Sequence, residues 1–284
     1  MQGKTVLVTG ANAGIGKWTA IALAEQGATI VAAARSASKG QRAVEEIRRR
    51  GGNDRVELRL ADFSSLADVR RLAAEVAQAH PSLDVLVNNA GLIQGQREET
   101  RDGFEVTFGV NHLAPFLLTL LLEPALRAAA PSRVVNVASR AHTRAALDFD
   151  DLQSRRGYQS MQVYGRSKLA NILFTRELAR RWRGSGVSAN CLHPGVVRSD
   201  FGADGEMGPW MAIGWALIKP FLISPRRGAE TSVYLASSPE VEGISGEYFD
   251  RCRVSRSSRR SQDMDVAARL WAESAEMVGL TDER

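Results

Sequence analysis

Apolar runs rich in β-branched residues alternate along the chain with stretches whose apolar positions return every three or four residues. The first kind predicts strands at Thr5–Thr9, Thr29–Ala33, Val56–Leu60, Asp84–Val87, Val134–Val137 and Val187–Cys191, with Tyr248–Phe249 as a seventh. The second kind predicts helices at Ile15–Gln26, Lys39–Arg50, Leu66–Gln78, Phe104–Ala130 and Gln162–Trp182. Strand–helix alternation of this kind implies a parallel sheet with helices on both faces. Runs such as "TVLVT" and "DVLVN" suit strands buried on both faces. The expected fold is therefore an α/β, Rossmann-type doubly wound sheet of about seven strands. No repeat or Gly/Ser linker divides the 284 residues, so we expect one domain over 1–284. Residues 200–225 read as an insertion and 251–284 as a C-terminal extension with one helix.

Composition narrows the class. The chain is 44% hydrophobic and 24% charged, enough for a sizeable core and ordinary for a soluble protein. Its formal charge of +5 does not argue for a nucleic-acid partner, and the basic run at 251–260 reads as solvated surface. Cys191 and Cys252 form no CxxC, which fits a reducing compartment. His80, His112, His142 and His193 have no metal-ligand spacing, so no metal is expected. No signal or transit segment is visible, and "MGPWMAIGWALI" at 207–218 is too short to span a bilayer. The expected location is cytoplasmic, soluble or peripheral to a membrane.

The chemistry begins at "TGANAGIG", Thr9 to Gly16, between the first strand and the first helix. Gly10, Gly14 and Gly16 leave backbone amides open to a pyrophosphate at the helix N-terminus. The spacing is GxxxGxG, a variant of the usual GxGxxG. A phosphate-binding P-loop is excluded, because Ala11 and Trp18 stand where a glycine and a magnesium-holding hydroxyl are needed. The second strand ends "AAARS". It offers no carboxylate to a ribose 2′-hydroxyl, whereas Arg35 can pair with a 2′-phosphate, so NADP(H) is expected over NAD(H).

"VYGRSKLAN" raises a sharper point. Tyr164 and Lys168 sit four residues apart, on one helical face, where a carboxylate opposite the lysine would be commoner. A tyrosine there makes sense if it is meant to exchange its proton. Its free pKa lies near 10. Lowering that by ~3 units requires about 4 kcal/mol, a large share of which a nearby ammonium can supply.

"TGANAGIG", "NNAG" at 88–91, "YGRSK" at 164–168 and "HPGVVRS" at 193–199 together resemble the short-chain dehydrogenase/reductase family. "DGFEVTFGVNHLAPFLLT", "SRVVNVAS", "FDDLQ", "SKLANILFTRELARR" and "SGEYFDRCRV" are similar to its retinol-dehydrogenase-like branch, which includes broader carbonyl reductases. Many members of that branch carry an N-terminal membrane anchor; none is visible in this sequence, so a soluble or peripheral version is expected. The resemblance implies an oxidoreductase with Asn111, Ser139, Tyr164 and Lys168 as a catalytic tetrad. Tyr164 would be the general acid or base, Ser139 would hold the carbonyl oxygen, and Asn111 would hold a water linking Lys168 to solvent. Gly165 would let substrate or cofactor pass close.

For the cofactor, it implies contacts from Gly10, Asn12, Gly14, Ile15 and Gly16, from Asp62 to the adenine, and from Ala90 and Gly91 near the ribose. Asn89 would steady the sheet. Pro194, Gly195, Val196 and Ser199 would bind the cofactor, the last two at the nicotinamide. Tyr164 and Lys168 would contact it too, Lys168 through the nicotinamide ribose. The resemblance also implies a homodimer or homotetramer. The apolar segment 200–225 is expected as a lid over a lipophilic carbonyl or alcohol. A contact with its own protein and a peripheral membrane patch are the competing uses of that segment. Two other functions stay open at this stage: a non-catalytic cofactor-binding regulator, and a double-bond reductase of a large pigment.

Overall fold

The computed structural model describes residues 1–197 and 223–280. Eight strands form one sheet: β1 (Thr5–Thr9), β2 (Thr29–Ala34), β3 (Val56–Leu60), β4 (Val85–Asn88), β5 (Ser132–Val137), β6 (Val187–His193), β7 (Tyr248–Asp250) and β8 (Arg253–Val254). Their order is β3-β2-β1-β4-β5-β6-β7-β8, parallel except for β8, which pairs antiparallel with β7. The expected doubly wound sheet is thus present, with a short eighth strand at its edge. The chain runs outward from β1 to β3, then returns to β4 beside β1. That reversal opens a crevice at the carboxyl ends of β1 and β4, where ligands of open α/β sheets lie.

Helices cover both faces. Alternation along β1 sends Leu7 to one side and Val6 and Val8 to the other. On the second side lie α1 (Gly14–Glu25), α2 (Ala37–Gly51) and α8 (Pro225–Ser237). On the first lie α3 (Leu66–Ala79), α5 (Ala114–Leu121), α7 (Ser160–Arg181) and α9 (Met264–Met277). The C-terminal extension is therefore part of the core. Trp271 of α9 meets the Phe116 ring edge-on at 5.0 Å, a contact whose burial alone is worth roughly 2–3 kcal/mol.

The helix expected over Phe104–Ala130 is divided. Glu105, fully buried, accepts from Thr107 N and Phe108 N and caps the short helix α4 (Val106–Phe108). A π-turn over Gly109–Leu113 follows, then α5, then α6 (Glu123–Ala128), with Pro115 and Pro124 in their first turns. Among the described residues, no helix is long and apolar enough to cross a membrane. Ser199 and most of the segment 200–225 lie outside the described residues. The flanks of that stretch meet, since Ile223 N donates to Val196 O at 3.0 Å and Val197 bridges Ile223.

Candidate active site

The described residues expected to bind or react lie along the carboxyl edge of the sheet or on the two helices beside it. Gly10 to Ala13 form the turn after β1 and Gly14 to Gly16 open α1, Arg35 follows β2, Asp62 follows β3, and Asn89 to Gly91 follow β4. Ser139 follows β5, and Pro194, Gly195 and Val196 follow β6. Asn111 sits in the π-turn, and Tyr164 and Lys168 on α7.

The turn after β1 is built for close approach. Gly10 and Gly14 have φ of 66° and 55°, which side-chain-bearing residues rarely adopt. A Cβ on Gly16 would lie 2.4 Å from Asn89 Nδ2 and 2.5 Å from Gly10 O. Asn89 ties the turn to β4: its Nδ2 donates to Thr9 O at 2.8 Å, and its backbone N donates to Thr9 Oγ1 at 2.9 Å. The helices α2, α3, α8 and α9 each start on a serine or aspartate side chain that accepts a backbone N–H. By contrast, α1 starts on Ala13 with no side-chain cap, and α5, α6 and α7 lack one too. Its leading N–H groups are left to an anion. A Cβ on Gly14 would meet nothing within 4 Å. These features fit a dinucleotide's pyrophosphate.

Further along the edge, Arg35 is exposed and pairs with no carboxylate among the described residues. Asp62 is engaged locally, its Oδ1 accepting from Ser64 N and Ser64 Oγ, with Arg101 3.7 Å from Oδ2. Ile15 packs beside Gly228 of α8, which also abuts Pro194 O. Gly195 has φ of 89° and faces Ile223. Asn12 is half-buried, and Val196 is 58% exposed.

The reactive group gathers around α7. Lys168 is buried, and its Nζ donates to Val137 O at 3.0 Å. That nitrogen lies 5.5 Å from the centroid of the Tyr164 ring, and no carboxylate pairs with it among the described residues. Gly91 abuts this nitrogen, since a Cβ there would lie 3.5 Å from it. Burial lowers the lysine pKa to about 8. The Tyr164 phenol hydrogen bonds the Ser139 side chain, which favours ionisation, but burial outweighs this and pushes its pKa up to about 12. From the protein's own groups alone, Tyr164 is therefore a protonated phenol at neutral pH.

Asn111 is fully buried. Its Oδ1 accepts from Leu92 N at 2.8 Å, and its Nδ2 donates to Leu92 O and to Ser167 Oγ. The π-turn thus aims one side chain at both the β4 loop and α7. Gly165 has a different role from the one expected. A Cβ there would lie 2.9 Å from Ala141 O and 3.4 Å from Ala145 Cβ. It lets α7 press on the 3₁₀ turn Arg140–Arg144 and so brings Tyr164 to Ser139.

Two groups near Ser139 escaped the sequence. His142 Nδ1 contacts Ser139 O, and Arg140 N donates to His193 Nδ1 at 3.3 Å. Spacing along the chain tests both histidines only as metal ligands. Their place inside "SRAH" and "HPG" was the available signal. No cluster of metal-ligating groups occurs among the described residues.

Comparison with known proteins gives the family and the fold. A sequence model of the family described as short chain dehydrogenase matches residues 4–207. The chain is 45% identical over 291 residues to retinol dehydrogenase 13 of Homo sapiens, covering 99% of this chain and 86% of that one. A solved structure of an uncharacterized protein from Mycobacterium paratuberculosis superposes with a TM-score of 0.80 at 35% identity, covering 98% of this chain and 94% of that one. The RhlG/NADP active-site complex of Pseudomonas aeruginosa superposes at 0.71 and 28% identity, covering 88% and 94%.

Proposed function

The chain belongs to the short chain dehydrogenase family of oxidoreductases, and from that premise we propose that it uses NADP(H) to interconvert a lipophilic aldehyde or ketone and its alcohol, with Tyr164 as general acid and base. The observation that carries this reading is the buried Lys168 ammonium beside the Tyr164 ring, with Ser139 on the phenol and no carboxylate to neutralise the lysine among the described residues.

The β1 turn, Arg35, Asn89 to Gly91, Lys168 and Pro194 to Val196 would hold the dinucleotide. When bound, it supplies the hydride. The residues do the rest. Ser139 donates a hydrogen bond to the carbonyl oxygen and stabilises its growing negative charge. Tyr164 then gives that oxygen its proton. With a pKa of about 12, the phenol is fully loaded for reduction at neutral pH. Below about pH 8, Lys168 keeps its charge and stabilises the phenolate left behind. Asn111 fixes the Leu92 backbone and Ser167, which walls the site on the β4 side. Alcohol oxidation reverses each proton movement.

Arg35, free of any carboxylate among the described residues, supports NADP(H) over NAD(H). The substrate class is supported by the apolar sequence of 200–225 and by two large exposed apolar side chains, Met161 on the first turn of α7 and Val196 after β6. The retinol dehydrogenase name of the 45% identical human relative points the same way. The test is steady-state reduction of straight-chain aldehydes of increasing length with NADPH and with NADH. We expect kcat/KM to rise with chain length and to be at least about ten-fold higher with NADPH. A preference for small polar carbonyls would overturn the lipophilic site, and a preference for NADH would overturn the Arg35 assignment.

A further inference from the structure

The peptide bond that follows Ser139 is held at both ends by side chains. The Ser139 carbonyl and the Arg140 N–H belong to one planar unit. His142 Nδ1 lies 2.5 Å from that carbonyl oxygen, and His193 Nδ1 lies 3.3 Å from that amide nitrogen. The rings come from different places. His142 sits within the 3₁₀ turn, and His193 is the last residue of β6, beside the end of β5. Both are buried, at 1% and 5% exposure.

The partners fix the protonation of each ring. A carbonyl only accepts, so His142 Nδ1 must carry hydrogen. Ser258 N donates to His142 Nε2 at 3.1 Å, so that nitrogen must carry none. Arg140 N–H only donates, so His193 Nδ1 must be bare and its proton must sit on Nε2. The two rings are therefore opposite tautomers, both neutral. Burial acts in the same direction, lowering the His142 pKa and taking His193 down to about 4. The 3₁₀ turn does not need this arrangement to close, because His142 N already donates to Ser139 O.

We propose that His142 and His193 clamp the Ser139–Arg140 peptide from its two ends and thereby aim the Ser139 hydroxyl at Tyr164, with the C-terminal segment completing the clamp through the Ser258 amide. The two histidines are positioning residues, and the proposal rests on the role given to Ser139 above. It explains why the extension crosses to the reactive edge. Arg260 Nη1 donates to Ala145 O at 3.2 Å, and the Tyr248 ring meets His142 edge-on at 5.1 Å, so the turn is held from the same side.

The first test needs no variant. Long-range ¹H–¹⁵N correlation at pH 7 on the intact, cofactor-free protein should show His142 protonated on Nδ1 and His193 protonated on Nε2. A reversed tautomer or a charged ring overturns the clamp. Ser258→Pro then removes the donor while keeping the backbone, since Ser258 has φ of −63°. The His142 Nε2 resonance should move, and kcat should fall several-fold; an unmoved resonance overturns the role of the extension. His193→Leu should lower kcat by at least about ten-fold while NADPH binding, read by fluorescence, stays within about two-fold. His193→Asn, whose Oδ1 replaces the Nδ1 acceptor, should recover most of that loss. A folded His193→Leu protein with normal kcat, or an Asn variant as slow as Leu, refutes the clamp. Ser139→Ala separates the two ideas: if it turns over normally, the reading of Ser139 fails, whereas an inactive Ser139→Ala beside a normal His193→Leu refutes the clamp alone.

Discussion

The turn after β1 and the turn after β5 treat their backbone in opposite ways. After β1, the leading N–H groups of α1 are left open: the helix has no side-chain cap, and glycines keep side chains away. After β5, they are committed. The Ser139 carbonyl meets His142, the Arg140 amide meets His193, and Ser139 Oγ accepts from Ala141 N at 3.2 Å. A surface that binds an anion needs unused donors in place before the ligand arrives. A group that must meet developing charge needs one fixed direction. The same sheet edge provides both, a few strands apart.

Breaking the reactive side should have the largest effect. Lys168→Met should lower kcat by ~10²–10³-fold, by removing the charge that stabilises the Tyr164 phenolate. The same change should stabilise the fold. Lys168 has a folded pKa of about 8 against an ordinary 10.5. Below pH 8 both states hold the proton, and the buried ammonium costs about 3 kcal/mol. Between pH 8 and 10.5 only the unfolded state keeps it, so wild-type stability from this group rises with pH. Less about 1 kcal/mol for the lost bond to Val137 O, urea unfolding at pH 7 should show the variant ~1–3 kcal/mol more stable, a gap that closes towards pH 10.5.

Breaking the binding side should act on affinity instead. Gly16→Ala places a methyl against Asn89 Nδ2 and Gly10 O, so NADPH affinity by fluorescence titration should fall ~10–100-fold, with a stability loss of ~1–3 kcal/mol. Arg35→Asp should sharpen the same side, shifting the NADPH/NADH preference by about ten-fold or more without changing kcat with the better cofactor. The smallest effect should come from Gly165→Ala. Its methyl meets Ala141 O at 2.9 Å, so α7 must shift by a few tenths of an ångström, and kcat should drop about three- to ten-fold at unchanged NADPH affinity.

The binding side was the more legible in the sequence. Gly10, Gly14 and Gly16 announce their turn, and β1 to β6 begin and end within about two residues of where apolar runs place them. The reactive side was legible in its residues but not in their support. Periodicity reads Phe104–Ala130 as one helix, because a π-turn and two prolines in first turns leave the apolar repeat intact. His193 and Ser258 reach partners 53 and 116 residues away in the chain, and those partners are a backbone amide and a ring. No local pattern encodes such contacts. The burial of the phenol is hidden for a related reason: the helical spacing of Tyr164 and Lys168 shows the ammonium but not the desolvation that opposes it.

The acid–base claim is tested most directly by titrating Tyr164 itself, by ¹³C NMR of its ring ζ carbon, assigned with Tyr164→Phe. The account predicts a pKa of about 12 in the free protein, falling by at least ~3 units with saturating NADP⁺, whose positive ring adds to the charge of Lys168. A phenol that titrates near 10 in both states, or that NADP⁺ leaves unchanged, would contradict it.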